Sequence, residues 1–381
     1  MAVLFESVPI GRLTVPNRFV RSATYDGAAD AAGHVTPEQI RLFEDLAAGG
    51  AGLIVTGLTY VNRLGRMSPV QNSIADDACM EGFRKLTGAV HAHGAKIAVQ
   101  LVHAGREAAG ALQQTGEEAI GPSVVTDDPN FKRPYRAASG AEIEEIVEDF
   151  AEAAERARRA GFDAVQLHGA HAYLLSQFLS PYTNRRTDQW GGPLQNRLRL
   201  HHAVITSIRQ KVGPDYPLLI KIGAADGFAG GLGFDEGREA ARMASEWGCD
   251  ALEISQGLRG RPYTETEFRT GIDSPDKEAY FRIWCREIKA AVEVPVMMVG
   301  GLRSPSVMEA TIENREADFV SLCRPLIKEP GLVNEWRSGS RRQSSCISCN
   351  MCLEALRKGK TLHCAYEKSG QKAPEGQGNG M

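Results

Sequence analysis

No stretch of this 381-residue sequence approaches the roughly 18 consecutive apolar residues of a membrane-spanning helix, so no such helix is expected. The opening residues, MAVLFESVPIGRL, lack the basic start and long apolar centre of a signal peptide, and a cytoplasmic location is expected. A surplus of one charge is missing as well: 44 Lys and Arg face 47 Asp and Glu, the net charge is -3, and the basic clusters are short. Neither nucleic acid nor an anionic membrane is therefore an expected partner. Cysteine is sparse over most of the chain, where Cys79, Cys249, Cys285 and Cys323 are scattered, but Cys346, Cys349, Cys352 and Cys364 crowd towards the end. In a reducing compartment that crowding suggests metal before disulfides. What remains is globular: 43% hydrophobic residues suffice for a sizeable core, in one large domain or two of common size.

Short apolar runs recur along the chain, most of them introduced by Gly or Asp and followed by a longer amphipathic segment. Eight stand out: RFVRSAT to Thr24, AGLIVTG to Gly57, AKIAVQL to Leu101, DAVQLHG to Gly169, PLLIKIG to Gly223, DALEIS to Ser255, VPVMMVG to Gly300 and ADFVSLC to Cys323. Continuous runs without alternation fit strands covered on both faces, as in a parallel sheet. Between them, TPEQIRLFEDLAAGG offers a Thr cap and a first-position Pro, and ASGAEIEEIVEDFAEAAERARRAGFD carries apolar residues at helical spacing before its closing Gly. Eight strand and helix units in about 340 residues predict an α/β fold, a (β/α)8 TIM barrel, over a doubly wound sheet with fewer strands. The barrel is placed at residues 1–340. A Cys-rich metal or iron–sulfur segment with a flexible tail is placed at 341–381.

In such barrels chemistry sits at the C-terminal ends of the strands, and here those ends are polar. Strand three ends in Gln100 and then His103 and Arg106; strand four in His168, His171 and Tyr173; strand five holds Lys221; strand eight runs into Arg324. Each has a structural alternative: Gln100 satisfying a backbone group, Lys221 pairing with a core carboxylate, Arg324 capping a helix. Together at one rim they favour a site. The H-x-x-H spacing of His168 and His171 permits zinc ligation, with His103 and Asp226 as the only further ligands in view. It equally permits two neutral donors to an oxyanion, with Tyr173 as a nearby proton donor. The turns VGGLRSP and CRPLIKEPG have the composition of a phosphate cradle. Tyr60 and Tyr263 are candidates for shaping a substrate pocket.

These residues together with VPNRFVRSAT, GLIVTG, VQLVHAGR, HGAHAYLLSQFLSPYTNRRTDQWGG, LIKI, VGGLRS and CRPL closely resemble the Old Yellow Enzyme family of FMN-dependent ene-reductases. The resemblance runs from about Leu4 to Pro330 and extends to longer members, the FMN barrels of 2,4-dienoyl-CoA reductase and trimethylamine dehydrogenase. It implies an NADH- or NADPH-using enzyme that reduces the C=C bond of small α,β-unsaturated carbonyl compounds. FMN would then rest on Ala23 and Thr24, with Gly57 near its ring, Gln100 at the pyrimidine edge and Lys221 near N1 and O2. Gly301, Cys323 and Arg324 would hold its phosphate. His168 and His171 would grip the substrate carbonyl oxygen, and Tyr173 would give the proton to the α-carbon. Two positions depart from the family pattern: Tyr25, where Cys, Thr or His is common, and Lys221, where many members have Arg. A homo-oligomer is expected.

The last cysteines form C-x2-C-x2-C-x11-C, close to the [4Fe-4S] segment of the longer members. Cys346, Cys349, Cys352 and Cys364 are thus candidates for an iron–sulfur cluster, for zinc, or for free thiols. A cluster would imply the alternative activity, a dienoyl-CoA reductase or amine dehydrogenase-like flavoprotein working with a separate electron-transfer partner.

Overall fold

The computed structural model describes residues 1–109, 115–126, 128–129, 131–260 and 266–366. Tyr263 and the expected tail from 367 onwards lie outside the described residues. All eight apolar runs form strands of one closed parallel barrel: β1 (Phe19–Arg21), β2 (Leu53–Tyr60), β3 (Lys96–Val102), β4 (Ala164–Gly169), β5 (Leu218–Gly223), β6 (Ala251–Ser255), β7 (Val296–Val299) and β8 (Phe319–Leu322). Strands pair in chain order, and β8 closes on β1. Nearly every strand residue is buried, because one face meets the barrel interior and the other meets helices.

Each strand is followed by a main helix: α1 (Pro37–Ala48), α2 (Met80–His91), α3 (Gly140–Arg159), α4 (Arg199–Val212), α5 (Phe234–Glu246), α6 (Arg282–Lys289), α7 (Pro305–Glu313) and α8 (Leu332–Arg337), with shorter helices such as Leu174–Leu179 and Arg324–Lys328 between. Thr36 caps α1 by accepting from the Gln39 amide, with Pro37 first in the helix. Ser139 and Glu142 cap α3 reciprocally, each accepting the other's backbone N–H, so two orphan donors are satisfied. Apolar side chains of both layers interlock in the main core, while Val20, Leu53, Val55, Ala98, Leu219 and Phe319 fill the lower interior. A hairpin of Val8–Ile10 and Leu13–Val15 joins that inner cluster.

Two strand ends differ from the sequence expectation. The first strand stops at Arg21 and leaves Ser22 to Thr24 as loop, whereas the second runs on to Tyr60 after a register shift between Val55 and Leu58. Gly57 lies in that shift, and a Cβ there would stand 2.8 Å from the Thr24 carbonyl oxygen, so the absent side chain lets the Ser22–Thr24 loop close up on β2. Beyond the barrel the chain stays tied to it: the Ser344 amide donates to Arg303 O at 2.9 Å and the Leu362 amide to Asp26 O at 2.8 Å.

Two helical glycines separate steric need from chance. A Cβ on Gly237 of α5 would meet the Ala224 carbonyl oxygen at 1.9 Å, whereas one on the exposed Gly88 of α2 meets nothing within 4 Å. Gly88→Ala should stabilise the protein by about 0.5–1 kcal/mol through helix propensity. Gly237→Ala should destabilise it by about 1–3 kcal/mol through overpacking, both read from urea denaturation midpoints.

Candidate active site

A cavity of about 230 Å3 opens where the C-terminal ends of the strands converge. Its floor is polar by register. Parallel pairing sets Gln100 beside Gln166, His168 beside Lys221, and Lys221 beside Glu253. Lys221 Nζ donates to Ser22 Oγ at 2.8 Å and lies 3.2 Å from Glu253 Oε2, so the cation is held by a carboxylate buried below it. Ser22 Oγ donates to Glu253 Oε1 at 2.7 Å, and Gln166 Nε2 to Glu253 Oε2 at 3.0 Å. Gln100 Nε2 in turn donates to Gln166 Oε1 at 2.8 Å. Gln100, Lys221, Ala23 and Thr24 line the cavity; Gly57 does not, but permits the close approach of the loop that does.

The three rings of the H-x-x-H-x-Y stretch meet at one wall. The His168 ring stands 5.0 Å from that of His171 and 4.7 Å from that of Tyr173, both edge-on. His171 and Ala172 adopt left-handed backbone angles, φ 58° and 65°, which turn the chain sharply after β4 so that successive rings face the same space. His171 Nε2 is 2.7 Å from Ser255 Oγ, while His168 Nδ1 is buried without a protein partner. Burial, then each other's neighbourhood and the cations of Lys221 and Arg259, hold the imidazole of His168 well below its ordinary pKa; burial and the same cations do so for His171. Burial pushes the Tyr173 phenol up to about 12, so it keeps its proton, and its hydroxyl donates to Met67 Sδ at 3.0 Å.

The opposite corner is cationic. Gly301, with φ +73°, and Arg303 follow β7, while Cys323 and Arg324 follow β8, and all four line the cavity. A Cβ on Gly301 would meet the Tyr280 ring at 3.0 Å, so glycine is needed for both conformation and room. Burial raises the Cys323 thiol, but the Arg21 and Arg324 guanidinium groups and a 3.1 Å contact with Thr24 Oγ1 outweigh it and leave the thiol below its ordinary value. Arg324 Nη1 donates to Arg269 O and to Asn350 Oδ1, both at 2.7 Å. It is therefore fixed jointly by the loop after β6 and by the segment beyond the barrel.

Several rim candidates do not join the cavity. His103 accepts the Gly105 amide at Nδ1, 3.0 Å, and is buried against Gly65, with its pKa lowered to about 3 by burial. Arg106 is buried in an ion pair with Asp128 at 2.8 Å. Asp226, whose carboxyl burial raises to about 6, is taken up by Ser180 Oγ and the Leu232 and Leu258 amides. Tyr60 is a buried strand residue beside Arg66. The set that zinc ligation would need is thus dispersed. The sequence reading missed Glu253, Gln166, Ser255, Arg259 and Ser321. Ser321 lines the cavity with an unpartnered hydroxyl, and Arg259 pairs with Glu267 at its edge.

The four late cysteines line a second, small cavity that also touches Arg324 and Asn350. Among the described residues, no three His, Cys, Asp or Glu side chains are already arranged to hold a metal ion. Burial pushes the Cys352 thiol up to about 11 and raises that of Cys346. Among the described residues, no helix is long and apolar enough to cross a membrane.

A closed parallel barrel of eight strands, with a cationic corner and paired neutral imidazoles at the strands' C-terminal mouth, defines a (β/α)8-barrel enzyme site. A solved 2-naphthoyl-CoA reductase superimposes with a TM-score of 0.86 at 27% identity, covering 95% of this chain and 56% of that one. The chain belongs to the NADH:flavin oxidoreductase / NADH oxidase family, which matches residues 3–343. It is 35% identical over 366 residues to a metal reductase of Desulforamulus reducens, covering 96% of this chain and 53% of that protein. It is also 30% identical over 382 residues to the 4,4'-dithiodibutanoate disulfide reductase of Rhodococcus erythropolis, covering 93% of each. The chain thus spans about half the length of the metal reductase and nearly all of the disulfide reductase.

Three buried histidines and the partly exposed His171 give the fold a pH signature. His103, His168, His171 and His201 all have folded pKa values below the ordinary one, with burial the first cause in each. The unfolded chain then binds more protons as pH falls through about 6.5, so their contribution is present above that value and is lost towards the folded pKa. Denaturation midpoints should fall between pH 6.5 and 4, each group withdrawing up to about 1.4 kcal/mol per pH unit. His201, buried with both ring nitrogens unpartnered, supplies the control: His201→Leu should reduce the pH slope by about one proton.

Proposed function

We propose that this chain binds FMN in the cavity, accepts reducing equivalents from NADH or NADPH, and reduces the C=C bond of α,β-unsaturated carbonyl compounds. The observation that carries this is the pair of neutral imidazoles, His168 with an unpartnered Nδ1, beside a protonated Tyr173. The residues present suit the cofactor: a Lys221 ammonium and the Gln100 amide for a pyrimidine edge, and Gly301, Arg303, Cys323 and Arg324 for a phosphate. When bound, FMN supplies hydride chemistry.

The chain's own groups supply the rest. His168 and His171 bind the carbonyl oxygen and stabilise the negative charge that gathers there as hydride reaches the β-carbon. A Ser255 hydroxyl donating to His171 Nε2 leaves the His171 Nδ1–H for that oxygen. Tyr173, with its high pKa, holds a proton for the α-carbon. His168→Ala and His171→Ala should each weaken phenol and enone binding about tenfold or more while FMN stays bound, followed by flavin charge-transfer absorbance. Tyr173→Phe should slow enone turnover by about 10²-fold or more with little change in phenol binding. A holoprotein whose reduced flavin is reoxidised by no simple enone would sink this reading; disulfides belong in the same acceptor screen, given the Rhodococcus relative.

A second reading concerns residues 341–381, which we propose as a cysteine segment serving the barrel of residues 1–340. Four thiols around one cavity support Cys346, Cys349, Cys352 and Cys364 as the ligands of a [4Fe-4S] cluster, with zinc as the alternative metal. A cluster would supply single-electron transfer, and so suit an amine dehydrogenase-like or dienoyl-CoA reductase-like activity with a separate electron-transfer partner. Anaerobically purified protein should contain about four iron and four sulfide per chain, falling by most of that in Cys352→Ser. About one zinc without sulfide would make the segment a structural clip.

A further inference from the structure

One buried carboxylate has no part in the chemistry just described. Glu253 has no exposed side-chain surface and does not line the cavity, yet it contacts Lys221 and Ser22 of the floor directly and Gln100 through Gln166. We propose that Glu253 is a positioning residue that sets both ends of the flavin's pyrimidine recognition at once: it holds the Lys221 ammonium under the cavity and, through Gln166, directs the Gln100 carbonyl towards it. This rests on the FMN reading of the cavity.

The direction follows from donor and acceptor counting. Paired with the Lys221 ammonium, Glu253 is an acceptor only, so Gln166 must turn its Nε2 towards it, at 3.0 Å. Gln166 Oε1 is then the atom left to accept from Gln100 Nε2, at 2.8 Å. Among the described residues, Gln100 Oε1 is left with no protein donor, and Gln100 lines the cavity. A lone amide could flip; this one is oriented from two side chains away. On the other arm, Lys221 has three donors, and Ser22 and Glu253 take two, which leaves one N–H for a ligand.

The same geometry fixes an electrostatic sign. The carboxylate 3.2 Å below Lys221 offsets its charge, and both side chains are buried, where such an interaction is little screened. The site therefore favours the anionic reduced ring less than a lone lysine would. Removing the carboxylate while keeping its shape should make the bound flavin easier to reduce.

The test uses the full chain as holoprotein and as apoprotein. Glu253→Gln should raise the midpoint potential of bound FMN, measured against redox dyes, by at least about 30 mV, the tenfold shift of a two-electron couple. Gln166→Met keeps charge and approximate volume but severs the relay, so the apoprotein should bind FMN about tenfold more weakly with the potential unchanged. An unchanged or lower potential in Glu253→Gln, or undiminished FMN affinity in folded Gln166→Met, overturns the assignment. Should Glu253→Gln fail to fold, Gln166→Met decides alone. If the parent chain takes up no FMN, the reading of the cavity itself fails, before any variant is compared.

Discussion

Lys221 and Glu253, on adjacent strands, meet 3.2 Å apart inside the barrel, and the layout of the cavity above depends on that contact. Taking two charges out of water costs several kcal/mol for each ion, more than their mutual attraction returns unless the remaining donors and acceptors are also satisfied. Here all but the groups turned to the cavity are: Ser22, Gln166 and Gln100 extend the pair into a chain of hydrogen bonds across β3, β4, β5, β6 and the loop after β1, leaving one Lys221 N–H and Gln100 Oε1 for a ligand. Below it the interior is apolar, with Leu53, Leu219 and Phe319 fully buried. The interior thus divides into a packed lower plug and a polar upper layer. The step between them is set by strand register, since one residue of slip would turn these side chains out of the barrel.

That layer explains why the histidines are neutral. An imidazole could gain a proton from a neighbouring carboxylate's field, but Glu253 is already engaged by Lys221, and the charges that face His168 and His171 are the cations of Lys221 and Arg259. Burial acts in the same direction. Two neutral rings can each donate one N–H to an oxygen without competing for a counter-ion, which suits a ligand whose negative charge appears only as reaction proceeds. Had one ring found a carboxylate partner, it would have become a cation and bound anions in the resting state.

The strands were legible because a barrel strand is covered on both faces, and such coverage leaves continuous apolar runs that few other contexts produce. His168, His171, Tyr173, Lys221 and the β7 and β8 turns were legible because their positions just after those runs put them at one mouth. Position alone misled for His103 and Arg106. Gly105, at φ +63°, turns the chain between them, and Arg106 finds Asp128 in a loop with no periodic pattern. Glu253 was hidden for a different reason. A single acid in an apolar run shows neither which face it occupies nor which strand lies beside it, and the bland alternative for Lys221, pairing with a core carboxylate, coexists with its place in the cavity. Arg259 and Ser321 carried no motif at all.

The end of the strand and helix rhythm near Arg341 is not the end of the cavity wall. Arg324, Ile327, Asn350 and Cys352 line both the main cavity and the cysteine-lined one, so the partition between them is one layer of side chains thick. Arg324 belongs to the barrel, yet Asn350 Oδ1 and the Ser348 carbonyl fix its guanidinium. Those two residues adopt left-handed backbone, φ 54° at Ser348 and 61° at Asn350, which curls the segment back over the mouth before the helix Met351–Arg357 begins. Any ligand that reorganised the four thiols would therefore move the partners of Arg324. The cationic corner and the cysteine segment are mechanically one unit, and truncation at the end of the barrel pattern would remove Ser348, Asn350 and Cys352 from the cavity wall and two of the acceptors that hold Arg324.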